Sequence, residues 1–281
     1  SVITQISKDH TEILGNTLEK IALEKAGIIK KEIPVVTSNQ TKNAFEVIKL
    51  TAKKYNSNLY SSNEVILNKK NKRSENKSIQ HLVFLKKHSF TTSLLGNHQI
   101  ENIKTALKAI EVFFALKSKK ANWEIITNSI SKTQMIGRCQ IIKDNQITLV
   151  IDGAQNNQST KALINVLKST IKELSEIIWI YGASEGHNSI ETLKPIKKFN
   201  PKIIITESRL PKAKKSEKIV EEIKDLELNI IELNKDSFEA YKKAKNMVNK
   251  NGVIVAFGSL YIASEIIEII ENITPEKYNY G

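Results

Sequence analysis

The chain opens on an apolar run, Val2-Ile3-Thr4-Gln5-Ile6, that reads as a strand. Ser7-Lys8-Asp9-His10 follows as its C-terminal loop. Leu18, Ile21, Ala22 and Ala26 then recur at helical spacing, with Thr17 placed to cap the start and Gly27 near the end. Residues 34–37 read as the next strand, 43–54 as an amphipathic helix and 58–60 as a short strand. From Val65 to Leu95 the pattern is strand-like on both sides of a polar stretch, 68–77, which predicts a hairpin or small meander. Helical spacing returns over 102–116 and 123–132.

The character changes at Gly137. Residues 139–142 and 149–151 read as a strand pair around a turn at 143–146. Strands and helices then alternate: strand 149–151 before helix 158–173, 177–181 before 189–198, 203–206 before 216–225, 229–233 before 237–249, and 253–257 before 262–271. Repeated strand–helix units predict a parallel sheet covered on both faces. The chain is therefore read as α/β in two parts, 1–133 and 137–281. Ligands of such sheets sit at the carboxyl ends of the strands. Three predicted ends carry glycine or polar residues: Asp152-Gly153-Ala154-Gln155-Asn156, Gly182-Ala183-Ser184-Glu185-Gly186-His187 and Gly258-Ser259-Leu260-Tyr261. Together they predict one cleft edge.

Length supports two domains: 281 residues bury a core without disulfide or metal staples. The formal charge of +13 invites a nucleic-acid reading, but Arg73, Arg138 and Arg209 are the only arginines, and lysine is spread along nearly every helix. The densest basic stretch, 68–77, has no aromatic on which bases would stack. Nucleic acid is set aside, and an anionic small substrate stays compatible. The single cysteine, Cys139, excludes a disulfide framework or a multi-cysteine zinc site and reads as a small buried hydrophobe. No apolar run approaches the roughly 20 residues that span a bilayer, and no targeting signal is present, so a cytoplasmic protein is expected. A chain whose first residue, Ser1, stands just before a strand is expected to be a piece of a longer one.

The order of several segments is more specific than any one of them. The first block is Ile3-Thr4, Asp9-His10-Thr11-Glu12, Leu14-Gly15, Leu18-Glu19-Lys20-Ile21-Ala22, Glu24-Lys25-Ala26-Gly27-Ile28 and Pro34-Val35-Val36. Gly96-Asn97-His98-Gln99 with Asn102, then Ala106-Leu107, Gly137-Arg138, Asp152-Gly153-Ala154 with Asn156, and Gly258-Ser259-Leu260-Tyr261 follow in order. This ensemble resembles the folylpolyglutamate synthase/dihydrofolate synthase family, a branch of the Mur-type ATP-dependent amide ligases, over essentially the whole chain. The resemblance implies the C-terminal part of a P-loop-type ATPase domain over 1–133, incomplete and lacking its phosphate loop. A Rossmann-like C-terminal domain over 137–281 follows it, in the Mur ligase architecture.

The resemblance also implies an activity. ATP phosphorylates a carboxylate of a pteroate or folate, and the amine of L-glutamate attacks the acyl phosphate. Dihydropteroate, folylpolyglutamate or both are the acceptors, with Mg²⁺ as the metal and a monomer as the complete protein. His10 and Lys25 correspond to metal-site positions, Lys25 as a carbamylated lysine. Asn102, Arg138 and Asp152 correspond to ATP contacts, with His98 and Gln99 at the interdomain junction and its contact with nucleotide. Lys25 and Arg138 are the catalytic candidates. Ser259 and Tyr261 are expected near the glutamate or folate tail. Outside the family setting, Asp9-His10 reads as a cap and a surface residue, and Lys25 as a solvated partner of a helix end. Arg138 also fits a structural ion pair, and Asp152 an N-cap for helix 158–173.

The sequence departs from the family at several points. No G-x-x-x-x-G-K-[ST] phosphate loop occurs. Gln155 stands where the family has histidine; it hydrogen-bonds but shuttles no proton near neutral pH. Lys212-Ala213 stands in place of Arg-Ala, and Ser7-Lys8 in place of Gly-Leu. An alternative therefore stays open: a non-catalytic nucleotide- or folate-binding remnant, or a subunit complemented by a second polypeptide.

Overall fold

The computed structural model describes the chain except residues 7–16, 70–78, 145, 172–175 and 276–281. It divides into two compact units, Ser1–Thr133 and Gln134–Gly281.

In the first unit, β1 (Val2–Ile3), β2 (Val35–Thr37) and β3 (Leu59–Ser61) form a parallel sheet in that order. Helices α1 (Leu18–Ala26) and α2 (Lys42–Lys54) pack on it, burying Ile21, Ala22, Ala26, Ala44 and Ile48 with Ile3, Ile6 and Val35. The Thr17 hydroxyl caps α1 by accepting from the Lys20 amide at 3.3 Å. A second sheet is an antiparallel meander of β4 (Leu67–Lys69), β5 (Gln80–Phe84) and β6 (His88–Thr92). Most of the expected polar turn lies outside the described residues. Against this meander pack α3 (Asn97–Leu116) and α4 (Trp123–Lys132), with Trp123 edge-on to Phe84 at 4.8 Å. Helix α3 starts at Asn97 rather than at 102. Gly96, at φ +96°, turns the chain there, and few other residues adopt that conformation.

The second unit is a six-stranded sheet. Its strands are β7 (Gln140–Asp144), β8 (Ile147–Ile151), β9 (Ile177–Tyr181), β10 (Lys202–Thr206), β11 (Asn229–Asn234) and β12 (Val253–Phe257). The spatial order is β11-β10-β9-β12-β8-β7, all parallel except the edge strand β7. Central strands β8 and β9 are buried along their whole length, as sheets covered on both faces require. One face packs on α8 (Ser237–Met247) and α9 (Leu260–Glu271) through Ile178, Ile180, Ile254, Ala240, Ala244, Ile262 and Ile266. Residues alternate across a strand, so Trp179 and Tyr181 of β9 point away from that cluster; both rings meet Phe257, at 5.5 and 5.1 Å.

Two expected helices give way to 3₁₀ turns partway along their patterns. The 189–198 segment is α6 (Ser189–Leu193) followed by a 3₁₀ turn, Lys194–Phe199, with Pro195 near its start, where a missing N–H is tolerated. The 216–225 segment is α7 (Ser216–Ile223) closed by a 3₁₀ turn, Lys224–Leu226. Helix α5 spans Asn157–Thr170.

Candidate functional site

Where β8 ends, the Asp152 amide donates to Ala256 O at 2.9 Å, carrying the pairing with β12 one residue beyond the strand. The Gly153 amide then donates to Gly137 O at 2.7 Å, and the Cys139 amide to Asp152 Oδ2, also at 2.7 Å. Arg138 is thus held in a turn between two left-handed residues, Gly137 at φ +66° and Cys139 at φ +48°. Glycine is required at 137 for a second reason: a Cβ there would lie 3.0 Å from Ala263 Cβ.

The Asp152 carboxyl is buried. Burial raises its pKa to about 6, against the opposing pull of the Cys139 and Ala154 amides and the Arg138 charge. Arg138 remains half-exposed, and its guanidinium makes no ion pair among the described residues. The arrangement is a buried carboxylate that steadies a turn presenting a cation, suited to neutralising an anionic ligand.

Asp152 is not the cap of α5. Asn156 takes that place: its Oδ1 accepts from the Ser159 amide at 2.9 Å, and Ser159 Oγ accepts from the amides of Asn156 and Gln155, both at 3.1 Å. Asn156 stands one residue before the helix, and Asp152 is already committed to Cys139. The carbonyl of Gln155 accepts from Thr192 Oγ1 at 2.9 Å, so its backbone is pinned on both sides.

The ends of β9 and β12 meet closely. A Cβ on Gly258, at φ +107°, would lie 2.5 Å from Gly182 O. Ser259 caps α9, its Oγ accepting from the Tyr261 amide at 3.1 Å, and lies 3.5 Å from Ser184 Oγ. The three polar strand ends therefore form one edge of the sheet.

In the first unit, His98 and Asn102 lie near the start of α3. Asn102 is exposed, and its Nδ2 donates to Oε1 of buried Gln99 at 3.1 Å. Lys25 is exposed in the last turn of α1, 3.9 Å from Glu24 Oε1. His10 falls outside the described residues. Among the described residues no group of three His, Cys, Asp or Glu side chains would hold a metal ion. The structure thus joins Arg138, Asp152 and Gln155 along one edge in the second unit, and places His98 with Asn102 on one helix in the first.

Sequence reading missed Lys214. Its side chain is only 4% exposed, and Nζ binds both Glu222 carboxylate oxygens at 2.8 and 2.7 Å and His187 O at 2.6 Å. One buried lysine in so lysine-rich a chain carries no pattern that marks it.

Residues 1–110 match the Mur ligase middle domain, and 134–269 match the dihydrofolate synthetase C-terminal domain. The dihydrofolate synthase/folylpolyglutamate synthase of Bacillus subtilis is 26% identical over 276 residues, covering 95% of this chain and 61% of that protein. The folylpolyglutamate synthase of Mycobacterium tuberculosis, solved with ADP and AMPPCP, superposes with a TM-score of 0.82 at 19% identity. That match covers 98% of this chain and 64% of the other. A folylpolyglutamate synthase solved with AMPPCP and folate gives 0.73 at 23% identity, over 95% and 60%. The chain spans about three fifths of the length of the Bacillus relative. With one domain model over each unit and relatives of one kind along nearly its whole length, the chain belongs to the folylpolyglutamate synthase/dihydrofolate synthase family of Mur-type ligases.

Proposed function

We propose that the chain serves ATP-dependent ligation of L-glutamate to dihydropteroate, to folylpolyglutamate, or to both. A substrate carboxylate oxygen attacks the γ-phosphorus of ATP, and the bond to ADP breaks. The glutamate amine then attacks the acyl carbon, phosphate leaves, and the amine nitrogen gives up its proton as the amide forms. Phosphoryl transfer of this kind rests on positioning and charge neutralisation. Arg138 supplies a permanent positive charge, and Asp152 holds the turn that carries it and accepts from a ribose hydroxyl. His98, Asn102 and Gln155 contact nucleotide.

Mg²⁺ belongs to the same reading, with His10 and carbamylated Lys25 as its holders. The described residues alone do not make a site for it, since exposed Lys25 lies beside Glu24, so the steps above rest on the chain's own side chains. The reading includes a cytoplasmic monomer with neither nucleic acid nor membrane as partner. Among the described residues no helix is long and apolar enough to cross a membrane.

The observation that carries the proposal is the Arg138 turn on buried Asp152 at the carboxyl edge of a parallel sheet. The test is glutamate-dependent ADP formation by the purified chain with ATP, Mg²⁺ and dihydropteroate or a folate. A second reading, a non-catalytic nucleotide- or folate-binding remnant or a subunit complemented by a second polypeptide, is favoured by Gln155, which shuttles no proton where the family has histidine. The same assay on the chain joined to the N-terminal segment of the Bacillus relative separates them. Activity only in the joined form supports a ligase that needs its N-terminal segment, activity in both would mean that phosphates are gripped without a phosphate loop, and silence in both overturns ligation in favour of the non-catalytic reading.

A further inference from the structure

The loop that follows β9, residues 182–188, is fastened to the loop that follows β10. The Lys214 amide donates to Ala183 O at 2.8 Å, the Glu185 amide donates to Lys212 O at 2.8 Å, and Ser184 forms an isolated antiparallel bridge with Ala213. Side chains reinforce the join. Lys214 Nζ reaches His187 O at 2.6 Å and Ser189 Oγ at 3.4 Å, and both oxygens of Glu222. Against the effect of burial, Lys214, with Ser189 nearby, holds the Glu222 carboxyl below its ordinary pKa. A lysine with so little exposure is held only because a carboxylate and carbonyl neutralise and satisfy it. Breaking such a pair leaves an uncompensated charge. Two chain segments 27 residues apart, at His187 and Lys214, are therefore tied by one ammonium group.

The tied loop lies at the carboxyl edge of the sheet, where ligands of parallel sheets bind. Its Ser184 hydroxyl sits 3.5 Å from that of Ser259. Its one carboxylate, Glu185, is already neutralised by Lys218 at 2.7 Å, so the loop brings one hydroxyl, that of Ser184, rather than free negative charge to the edge. It is separated by β12 from the β8 end that carries Asp152.

We propose that Lys214 is a positioning residue: it locks the 182–188 loop and so sets the affinity for the carboxylate-bearing substrate rather than for nucleotide. This rests on the ligase reading above. Both L-glutamate and dihydropteroate carry such a carboxylate, and separate titrations tell them apart.

The test combines amide hydrogen exchange with equilibrium binding on the 281-residue chain and three variants, K214M, K214R and K214M/E222M. In K214M, exchange of the 183–187 amides is expected to rise by about tenfold or more, with the 152–156 and 258–261 amides unchanged. Affinity for L-glutamate or dihydropteroate is expected to fall by about tenfold, with ATP affinity unchanged. K214R, which keeps charge and donors, is expected to recover most of both. The double variant leaves no stranded carboxylate and carries the test if K214M melts early. Unchanged exchange overturns the proposal, as does faster exchange with unchanged substrate affinities or an equal loss of ATP affinity. A wild-type chain that binds none of the three overturns the ligase reading itself, and the substrate role of Lys214 falls with it.

Discussion

The Cys139 amide donates to Asp152 Oδ2 across 2.7 Å, tying the turn before β7 to the end of β8. The bond stabilises the ionised carboxylate, but burial outweighs it and leaves the carboxyl near pKa 6 against an ordinary 3.8. A carboxyl whose pKa is higher in the folded than in the unfolded state binds more protons when folded between those values. Its contribution to stability is therefore full below about pH 4 and is lost as pH rises through about 6, amounting to about 3 kcal/mol at 1.36 kcal/mol per unit. Asp152→Asn keeps an acceptor for Cys139 and removes the buried charge. Urea unfolding of the variant at pH 4.5 and 7.5 is expected to lose most of this pH dependence and to show a gain of about 1–3 kcal/mol at pH 7.5. If Asp152 accepts from the ribose as proposed, nucleotide titration of the same variant shows weaker binding; unchanged affinity would remove Asp152 from the proposed nucleotide contacts.

The Cys139 thiol provides a direct readout of that turn. Burial, with the nearby Asp152 charge, pushes its pKa far above the usual thiol range, so almost no thiolate exists in the folded chain near neutral pH. A disulfide reagent such as Ellman's is expected to leave the native protein untouched for hours at pH 8 and to react stoichiometrically once denaturant is added. Rapid labelling of the native chain would show that the turn opens locally.

Two glycines at the sheet edge separate a soft clash from a hard one. A methyl at Gly153 would meet Leu260 Cδ2 at 2.5 Å, the end of a half-exposed side chain that can swing aside. A methyl at Gly258 would meet the carbonyl of Gly182 at 2.5 Å and the Tyr181 ring at 2.6 Å, at a φ of +107° that L residues rarely adopt. Gly258→Ala is expected to cost about 3 kcal/mol or more, and Gly153→Ala about 1 kcal/mol. Denaturant midpoints of the two variants check the order.

Alternating strands and helices made the second unit legible from Gly137 onward, because each central strand is covered on both faces and reads as an unbroken apolar run. Ile177–Tyr181 and Val253–Phe257 stand where the pattern put them. What the pattern hid was local. Asp152 looked like a helix cap because capping residues and buried acceptors share one chemistry; only the tertiary bond to Cys139, 13 residues away, distinguishes them. Helix α3 began early because the left-handed turn at Gly96 depends on backbone conformation, not on periodicity. The left-handed Cys139 had no sequence signal, since non-glycine residues there are held by their surroundings. Lys214 was invisible for the opposite reason: its residue type is everywhere in this chain. The family was readable from the order of short segments, whereas the partners of each site residue were not.

Gln155 gives a test of how far the site depends on a titrating side chain. Its amide is held by Ser159 Oγ at 3.1 Å and its carbonyl by Thr192 Oγ1 at 2.9 Å, so a substitution changes the side chain while the backbone stays in place. The residue is half-exposed, and a ring of similar reach meets solvent on one side. Gln155→His is therefore expected to shift the melting temperature by no more than about 2 °C, as surface changes do. Glutamine carries no charge at any pH near neutral, so nucleotide affinity of the parent is expected to vary little with this position between pH 6 and 8. A histidine with an ordinary pKa near 6.5 gains a proton over that range. Beside the Arg138 turn, the protonated ring adds a second positive charge toward an anionic ligand. Asp152, near pKa 6, titrates alike in both proteins, so relative to the parent the nucleotide affinity of the variant is expected to rise by about threefold to tenfold from pH 8 to pH 6. Titration calorimetry at the two pH values distinguishes the cases; identical pH profiles would mean that residue 155 does not face the nucleotide.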